Sequence, residues 1–335
     1  MGWTTSVQRL ALRAALSLPQ PLRRGVLGPP PRNDRGTALD LDLHTMLRLQ
    51  GALGHRLTDT TPEQARRNLR DGIDIVAPAV PACASVRDTT IGGRPARAYA
   101  GRPGAPVLLW LHGGGWAAGD LESHDTVCRR LARDGGVNVL ALDYRRSPEF
   151  PFPAALDDTV AAWRALPAWA AENGWPSPRH WVGGDSAGGN LSAALCVRAD
   201  MQGFPPPERL VLAYPGLDFR RDTASHAQFA RGYLLDAAGI DVYERWYGIP
   251  SKTDPLASPG AAPIAFPPAI VLTAGFDPLR DEGEAFAARV PGSVHLDAAD
   301  MVHGFLHFDA ISRSAATWIA HWTDAVAAWS EPETA

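Results

Sequence analysis

The stretch 181–190, Trp-Val-Gly-Gly-Asp-Ser-Ala-Gly-Gly-Asn, most constrains what this chain can fold into, because an apolar run meets a Gly-x-Ser-x-Gly and then the alanine-rich 191–201. The pattern predicts a strand, a sharp turn with Ser186 at its apex, and a helix. Such a turn holds its apical residue in a sparsely populated backbone region, and Gly184 and Gly188 let strand and helix approach without a Cβ between them. The serine hydroxyl then projects beyond the sheet. A helix beginning just after it aims free N–H groups and its positive end at the same place, which suits an oxygen gaining negative charge. In a chain with 32 glycines the motif alone is weak, so its weight comes from the flanks.

Those flanks alternate. Residues 107–111 form a continuous apolar run, as in a strand covered on both faces, and 137–142, 180–183, 209–214, 269–274 and 294–296 also read as strands. Helical patterns fall between and after them at 125–133, 154–171, 284–290 and 310–329. The alternation predicts an α/β fold, a mostly parallel central sheet flanked by helices. Residues 85–100, short segments around Gly92-Gly93, read as a hairpin that opens the sheet. Before it, 1–75 read as helices (3–18, 39–53 and 62–69) joined by a Pro/Gly-rich linker over 19–31. At Pro215-Gly216 the alternation stops, and the aromatic-rich 217–263 reads as irregular structure with one helix at 237–247. A loop of that length is usually functional. The domain reading is therefore an N-terminal helical cap segment (1–75), a first core part (76–216), a cap insertion (217–263) and a second core part (264–335), with the caps enclosing an apolar pocket.

Composition narrows the partners. At 335 residues the chain suits one large domain or a core with a small addition, and 45% apolar residues are ample for a core. A net charge of −4 with both signs scattered gives no reason to expect nucleic acid. Cys83, Cys128 and Cys196 are odd in number and lack Cys-x-x-Cys spacing, so free buried thiols in a reducing cytoplasm are expected, with neither a disulfide framework nor a metal site. The apolar stretch 7–18 is interrupted by Arg9 and Arg13 with no cleavage signal after it, so it reads as an amphipathic helix. Packing over the site is its expected job, contact with a lipid surface the alternative. No stretch is long and apolar enough to predict a transmembrane segment. Oligomeric state, a homo-oligomer included, stays open.

The chemistry is carried by three separated segments. His112-Gly113-Gly114-Gly115-Trp116 follows the strand 107–111. Three adjacent glycines cost backbone entropy and suggest bare amides lining a cavity. Gly114 and Gly115, with the Ala187 amide, are the candidate oxyanion donors, each worth about 3 kcal/mol in a transition state. A serine nucleophile needs a neutral imidazole to take its proton, and that ring needs a carboxylate to set its tautomer. With the order Ser, acid, His, Asp277 after the strand 269–274 is the candidate acid. Asp281 and Glu282 compete but fall at a helix start, where a carboxylate simply suits the dipole. Of the histidines that follow, His295 lies in a strand, and His307 and His321 have helical neighbours that allow a solvated surface. His303 lies in a loop before the last helix, with Gly304 to permit a tight turn. Trp116 and Asp185 are assigned to substrate binding. No cofactor is called for.

Taken together, His112 to Trp116, Gly119 to Asp125, Asp143-Tyr144-Arg145 with Pro148-Glu149, Pro151 to Asp158, Gly184 to Asn190, Asp254 to Pro259, Asp277 to Gly283 and His303-Gly304-Phe305 resemble the hormone-sensitive-lipase family of α/β-hydrolases. The resemblance spans roughly residues 85–325 in order, and Gly36 to Asp40 is similar to cap segments of actinobacterial members. It implies a carboxylic-ester hydrolase with a helical cap, no cofactor, and a small-molecule ester of short or medium acyl chain as substrate. Arg146-Ser147 stands where leucine and alanine are usual, and the segment between Ala288 and Met301 is shorter than the family pattern. The rival readings are an amidase or natural-product deacetylase with the same triad, and a small-molecule receptor without turnover.

Overall fold

The chain was analysed as a computed structural model that describes residues 5–53, 60–76, 78 and 80–331. In chain order the elements are α1 (Thr5–Ser17), α2 (Gln20–Leu27), α3 (Leu41–Leu53), α4 (Pro62–Val76), β1 (Val86–Ile91), β2 (Arg94–Tyr99), β3 (Val107–Leu111), α5 (Asp125–Arg133), β4 (Asn138–Leu142) and α6 (Ala154–Glu172). They continue with β5 (His180–Asp185), α7 (Ala187–Gln202), β6 (Arg209–Ala213), α8 (Ala224–Gln228), α9 (Ala237–Tyr247), β7 (Ala269–Phe276), α10 (Arg280–Arg289), β8 (Val294–Val302) and α11 (Arg313–Ser330).

Strands β3, β4 and β7 are buried along their whole length, as their largely apolar sequences require, and the two polar side chains among them have partners: Asn138 accepts the Gly101 N–H (3.0 Å) and Thr273 meets His295 (2.8 Å). They sit inside one eight-stranded sheet of order β1-β2-β4-β3-β5-β6-β7-β8. The β1–β2 hairpin and the β2–β4 pairing are antiparallel, and every other pairing is parallel. Alternate side chains of β3 feed two cores. Val107, Leu109 and Leu111 join α6, α7 and α10 on one face, while Leu108 and Trp110 join α5 and α11 on the other. There Trp110 meets Trp322 edge-on at 5.9 Å. This is the mostly parallel α/β architecture expected from the alternation, and no helix among the described residues is long and apolar enough to cross a membrane.

Several boundaries differ from the sequence expectations, each for a physical reason. The first helix is described from Thr5, so Trp3 lies outside the described residues. The presumed linker 19–31 contains α2, which starts beside Pro21 and buries Arg23 against Asp42 and Thr45 at 2.6 and 3.3 Å. Helix α4 runs on to Val76, whose side chain is buried in the core. Strand β8 continues past 296 to Val302 because its pairing with β7 resumes after an irregularity between Ala274 and Phe276, where Phe276 aligns with Val302. That extension makes His303 the first residue after a strand instead of a member of a free loop. Cys83 is half-buried, whereas Cys128 and Cys196 are buried, and all three are free thiols.

The tightest junction lies between β5 and α7. A Cβ on Gly188 would overlap the Leu111 carbonyl oxygen, and one on Gly184 would overlap the backbones of Leu111 and Gly188. Backbone atoms that cannot step aside make this an overpacking site. Gly188→Ala is therefore expected to lower the unfolding free energy by about 3 kcal/mol. Urea denaturation checks this, and an unchanged midpoint would count against such close approach.

Candidate active site

Ser186 sits between β5 and α7 with φ 53° and ψ −116°, outside the regions non-glycine residues ordinarily occupy. Its amide donates to the Ala213 carbonyl (2.9 Å) on the neighbouring strand, which anchors the turn. Asn190, one turn into α7, donates to the carbonyls of Gly216 and Ala257, both at 2.8 Å, and so ties the residues after β6 to the same helix.

His303 and Asp277 reach this point from the ends of β8 and β7. Gly275 lies at the irregularity between these strands, where any Cβ would overlap the Ala299 backbone, and the Asn33 side chain donates across it to the Gly275 and Ala299 carbonyls at 3.4 and 3.2 Å. Asp277 follows and is fully buried; its Oδ1 accepts the Leu279 N–H (2.9 Å). Its Oδ2 accepts from His303 Nδ1 at 2.7 Å, which leaves His303 Nε2 as an acceptor 3.0 Å from Ser186 Oγ. Gly304 has φ 77° and turns the chain away at once. The Tyr214 ring packs on the imidazole with centroids 4.8 Å apart. The structure thus brings together the hydroxyl, imidazole and carboxylate singled out in the sequence, in an order that can move a proton from oxygen to nitrogen while an anion faces the far side of the ring.

The competing residues have other partners. Asp281 accepts the Ser225 N–H (2.8 Å) and pairs with Arg280 (2.9 Å). Glu282 is buried and accepts the Leu217 N–H (2.7 Å), fixing the chain where the sheet alternation breaks off. His295 meets Thr273 Oγ1 at 2.8 Å within β8, and His321 is exposed on α11. His307 is buried, contrary to the solvated-surface expectation, because its short 3-10 turn faces His124, whose ring lies 5.0 Å away edge-on.

The glycine loop after β3 borders the same turn. Gly114 and Gly115 take φ 109° and 60°, and Ala187 is the first residue of α7. Among the described residues no acceptor takes the N–H of any of the three. Trp116, at φ 57°, stacks on Tyr247 of α9 (centroids 4.4 Å, planes 7° apart) and on Phe219 (5.2 Å). Tyr243, also on α9, lies over Gly115 so closely that its ring occupies the space of a Cβ there. Trp116 therefore belongs to an aromatic wall, made by residues 219–247, that the sequence did not resolve.

Asp185 is placed differently from its substrate-binding assignment. Its carboxylate is buried and turned beneath the glycine loop, accepting the Gly113 N–H (2.9 Å) and lying 3.2 Å from His124 Nε2. Burial alone would push this carboxyl up, but the His124 ring and the Gly113 amide outweigh it and hold it at about 2. His124 Nδ1 in turn lies 2.9 Å from Ser123 Oγ. Burial holds His112 and His307 neutral, each near 3. His112 stacks on Tyr144 at 4.1 Å, and the Tyr144 hydroxyl donates to the His112 carbonyl (2.7 Å). His124, Asp185 and His307 bring one ligand-capable atom each within 4.8 Å of one another, and those of His124 and Asp185 already serve the bonds just described. The sequence holds Tyr144 and His124 inside matching motifs but offers no signal of these supporting roles, which depend on contacts 32 and 61 residues apart.

Glu282 yields a stability prediction. Burial raises its carboxyl well above the ordinary range, so the folded chain keeps a proton that the unfolded chain releases. Stability from this group is full below the unfolded carboxyl value and is lost as pH rises from about 4 towards the raised folded value. Glu282→Gln keeps an acceptor for the Leu217 amide and has no proton to release. Its stability relative to wild type is expected to increase with pH over that range in urea unfolding; parallel pH profiles would refute the assignment.

Comparison with known proteins places this geometry in context. A family model described as alpha/beta hydrolase fold matches residues 108–307. The carboxylic ester hydrolase LipN of Mycobacterium tuberculosis is 36% identical over 91% of this chain and 88% of its own. An ethyl acetate hydrolase of Pseudomonas putida is 37% identical over 67% of this chain and 76% of its own. Among solved structures, the LAE6 α/β hydrolase from the metagenome of Lake Arreo, Spain, superposes with a TM-score of 0.82 at 32% identity, covering 87% of this chain and 98% of that one. Fold, motif order and relatives agree, and the chain belongs to the α/β-hydrolase family, in the hormone-sensitive-lipase branch its motifs resemble.

Proposed function

We propose that this chain is a serine carboxylic-ester hydrolase for small esters of short or medium acyl chain, with Ser186 as nucleophile, His303 as base and Asp277 as its partner. The observation that carries the reading is the continuous relay from Ser186 Oγ through the His303 ring to a fully buried carboxylate, at 3.0 and 2.7 Å, beside backbone amides with no acceptor among the described residues. Relatives named carboxylic ester hydrolase and ethyl acetate hydrolase support it.

In this reading Ser186 Oγ attacks the ester carbonyl carbon as its proton passes to His303 Nε2. The carbonyl oxygen becomes an oxyanion, held by the amides of Gly114, Gly115 and Ala187. The C–O bond to the alcohol breaks, and the alcohol leaves with the proton from His303. Water then loses a proton to the same ring and attacks the acyl-enzyme, and the acid departs as Ser186 recovers its hydrogen. Asp277 orients the ring and stabilises the imidazolium in both halves. Residues 1–75 and 217–263 act as the cap. The wall of Trp116, Phe219, Tyr243 and Tyr247 closes over the oxyanion loop, which favours short acyl groups. The free thiols accord with a cytoplasmic location.

Kinetics on p-nitrophenyl acetate, butyrate, octanoate and palmitate tests the proposal. Wild type is expected to prefer the shorter esters, and Ser186→Ala to lose about 10⁴-fold or more in kcat. Asp277→Asn should lose about 10⁴-fold because its amide admits the wrong imidazole tautomer. Undiminished turnover in Ser186→Ala, or faster cleavage of matched amides than of esters, would refute the reading. Removing the ring above Gly115 in Tyr243→Ala is expected to raise the octanoate-to-acetate ratio of kcat/KM about tenfold, the discrimination that one or two methylenes supply.

A further inference from the structure

Asp277 and His303 meet at 2.7 Å only because the pairing of β7 with β8 slips on the way to them. Ala274 aligns with Ala298 and Phe276 with Val302, so a single residue of β7, Gly275, faces the β8 segment 299–301. Continued in its first register, β8 would set Met301 against Asp277 and carry His303 past it. A bulge of this kind takes backbone carbonyls off the ladder, and those away from water need other partners.

They find them in residues 31–40, between α2 and α3. The segment closes on itself through the Arg32–Ala38 bridge and the bond from the Leu39 N–H to the Pro31 carbonyl (2.9 Å), and its tip reaches the bulge. Asn33, only 5% exposed, donates through Nδ2 to the carbonyls of Gly275 (3.4 Å) and Ala299 (3.2 Å), one on each strand. The Asp40 N–H takes the next carbonyl of β8, that of Asp300 (3.0 Å). The other end of the Asn33 amide is equally committed, since Oδ1 accepts the N–H groups of Arg35 (3.1 Å) and Thr37 (3.0 Å). Carbonyls at one end and N–H donors at the other permit the amide a single orientation.

Flanking contacts anchor the tip and the bulge without bridging the two strands at the slip. Asp34 pairs through both oxygens with Arg280 (2.7 and 3.0 Å), and Arg35 through both nitrogens with Glu284 (2.6 Å each), which tie the tip to α10. The Asp300 carboxylate accepts the Ser314 hydroxyl (2.6 Å) and the Trp318 indole N–H (2.9 Å) from α11. Of these side chains only Asn33 bonds β7 and β8 together where the register changes. We propose that Asn33 is a positioning residue of the candidate site, its amide holding the slipped register that brings the His303 ring to Asp277. The inference rests on the hydrolase reading and extends it to a residue that touches neither substrate nor any of the three reacting side chains. Loss of the amide should therefore lower kcat and leave KM alone.

Steady-state kinetics of the full chain on p-nitrophenyl butyrate, with thermal melting to confirm folding, makes the test. Asn33→Asp keeps the acceptor for Arg35 and Thr37 but turns a second oxygen towards the two carbonyls, whereas Asn33→Ala removes both ends. Each is expected to lose about 10²-fold in kcat, the cost of a misplacement of about 1 Å, and should Asn33→Ala fail to fold, Asn33→Asp carries the test. Val326→Ala is the destabilised control. It leaves a cavity beside Gly135 at the start of β4, the end of the sheet away from the site, and should keep wild-type kcat below its melting range. On the Asp277→Asn background, Asn33→Asp should cost less than about threefold more, because the contact it aligns is already broken. Proton NMR adds a readout that needs no turnover. The His303 Nδ1 proton, held by a carboxylate at 2.7 Å, is expected far downfield in wild type, absent from Asp277→Asn and weakened by faster exchange in both Asn33 variants. Should wild type not cleave esters, the hydrolase reading fails and the NMR comparison alone decides on Asn33. An unchanged signal in the Asn33 variants would overturn the proposal, as would wild-type kcat in both, an equal loss of kcat in Val326→Ala, or the full loss repeated on the Asp277→Asn background.

Discussion

Direct backbone contact between the ends of β3 and β5 and the first turn of α7 is the constraint on which the rest of the molecule depends. No side chain separates them: Gly184 and Gly188 lie against the Leu111 carbonyl, and Gly189 against Pro215. A helix drawn in that closely leaves the connecting residue no ordinary backbone conformation, and Ser186 takes φ 53°. The strain is repaid by position. The serine follows the end of β5, and the first amide of α7 lies next to it without an acceptor among the described residues, where the helix dipole is positive.

The same crowding explains why an ionised carboxylate can sit beneath the site. A buried Asp is costly unless hydrogen bonds replace its water. Asp185 finds them in the Gly113 amide and the His124 ring, contributed by the loop that crosses the end of β3. The bond couples the strand before the nucleophile to the loop bearing Gly114 and Gly115, so the two halves of the site cannot drift apart independently. From above, Tyr243 presses on Gly115 and Arg66 grips the Ala117 and Ser147 carbonyls. The loop is thereby held between a buried anion and two helices distant in sequence. Preorganisation of this kind is what makes backbone amides effective, since they need not reorient as charge develops.

Much of this was legible in the chain itself. Apolar runs located β3 and β7, because strands covered on both faces show few polar positions. The position of Gly304 marked His303 over three other histidines, since a tight turn after the ring is a local requirement. Less legible were elements whose existence depends on a partner. Helix α2 hides in a Pro/Gly-rich stretch and is held by Arg23 reaching Asp42. The last two thirds of β8, 297–302, were not legible as strand, yet pairing with β7 continues to Ala298 and, past the irregularity at Gly275, carries the strand to Val302 at the edge of His303. Asp185 was assigned to substrate, but its carboxylate turns beneath the glycine loop to Gly113 and His124, contacts that no local pattern marks.

By itself the sequence determined the alternation of strands and helices, the strained serine turn, the bare-amide loop, and the serine and histidine that meet. These follow from properties carried within a few neighbouring residues: apolar periodicity, the missing Cβ of glycine, and the order of segments along the chain. Only the tertiary structure decided which carboxylate faces the imidazole, that Asp185 serves the loop from below, and that α9 closes over Gly115. Each of those depends on distances between segments tens to hundreds of residues apart, set by sheet register and helix packing, which no local pattern encodes.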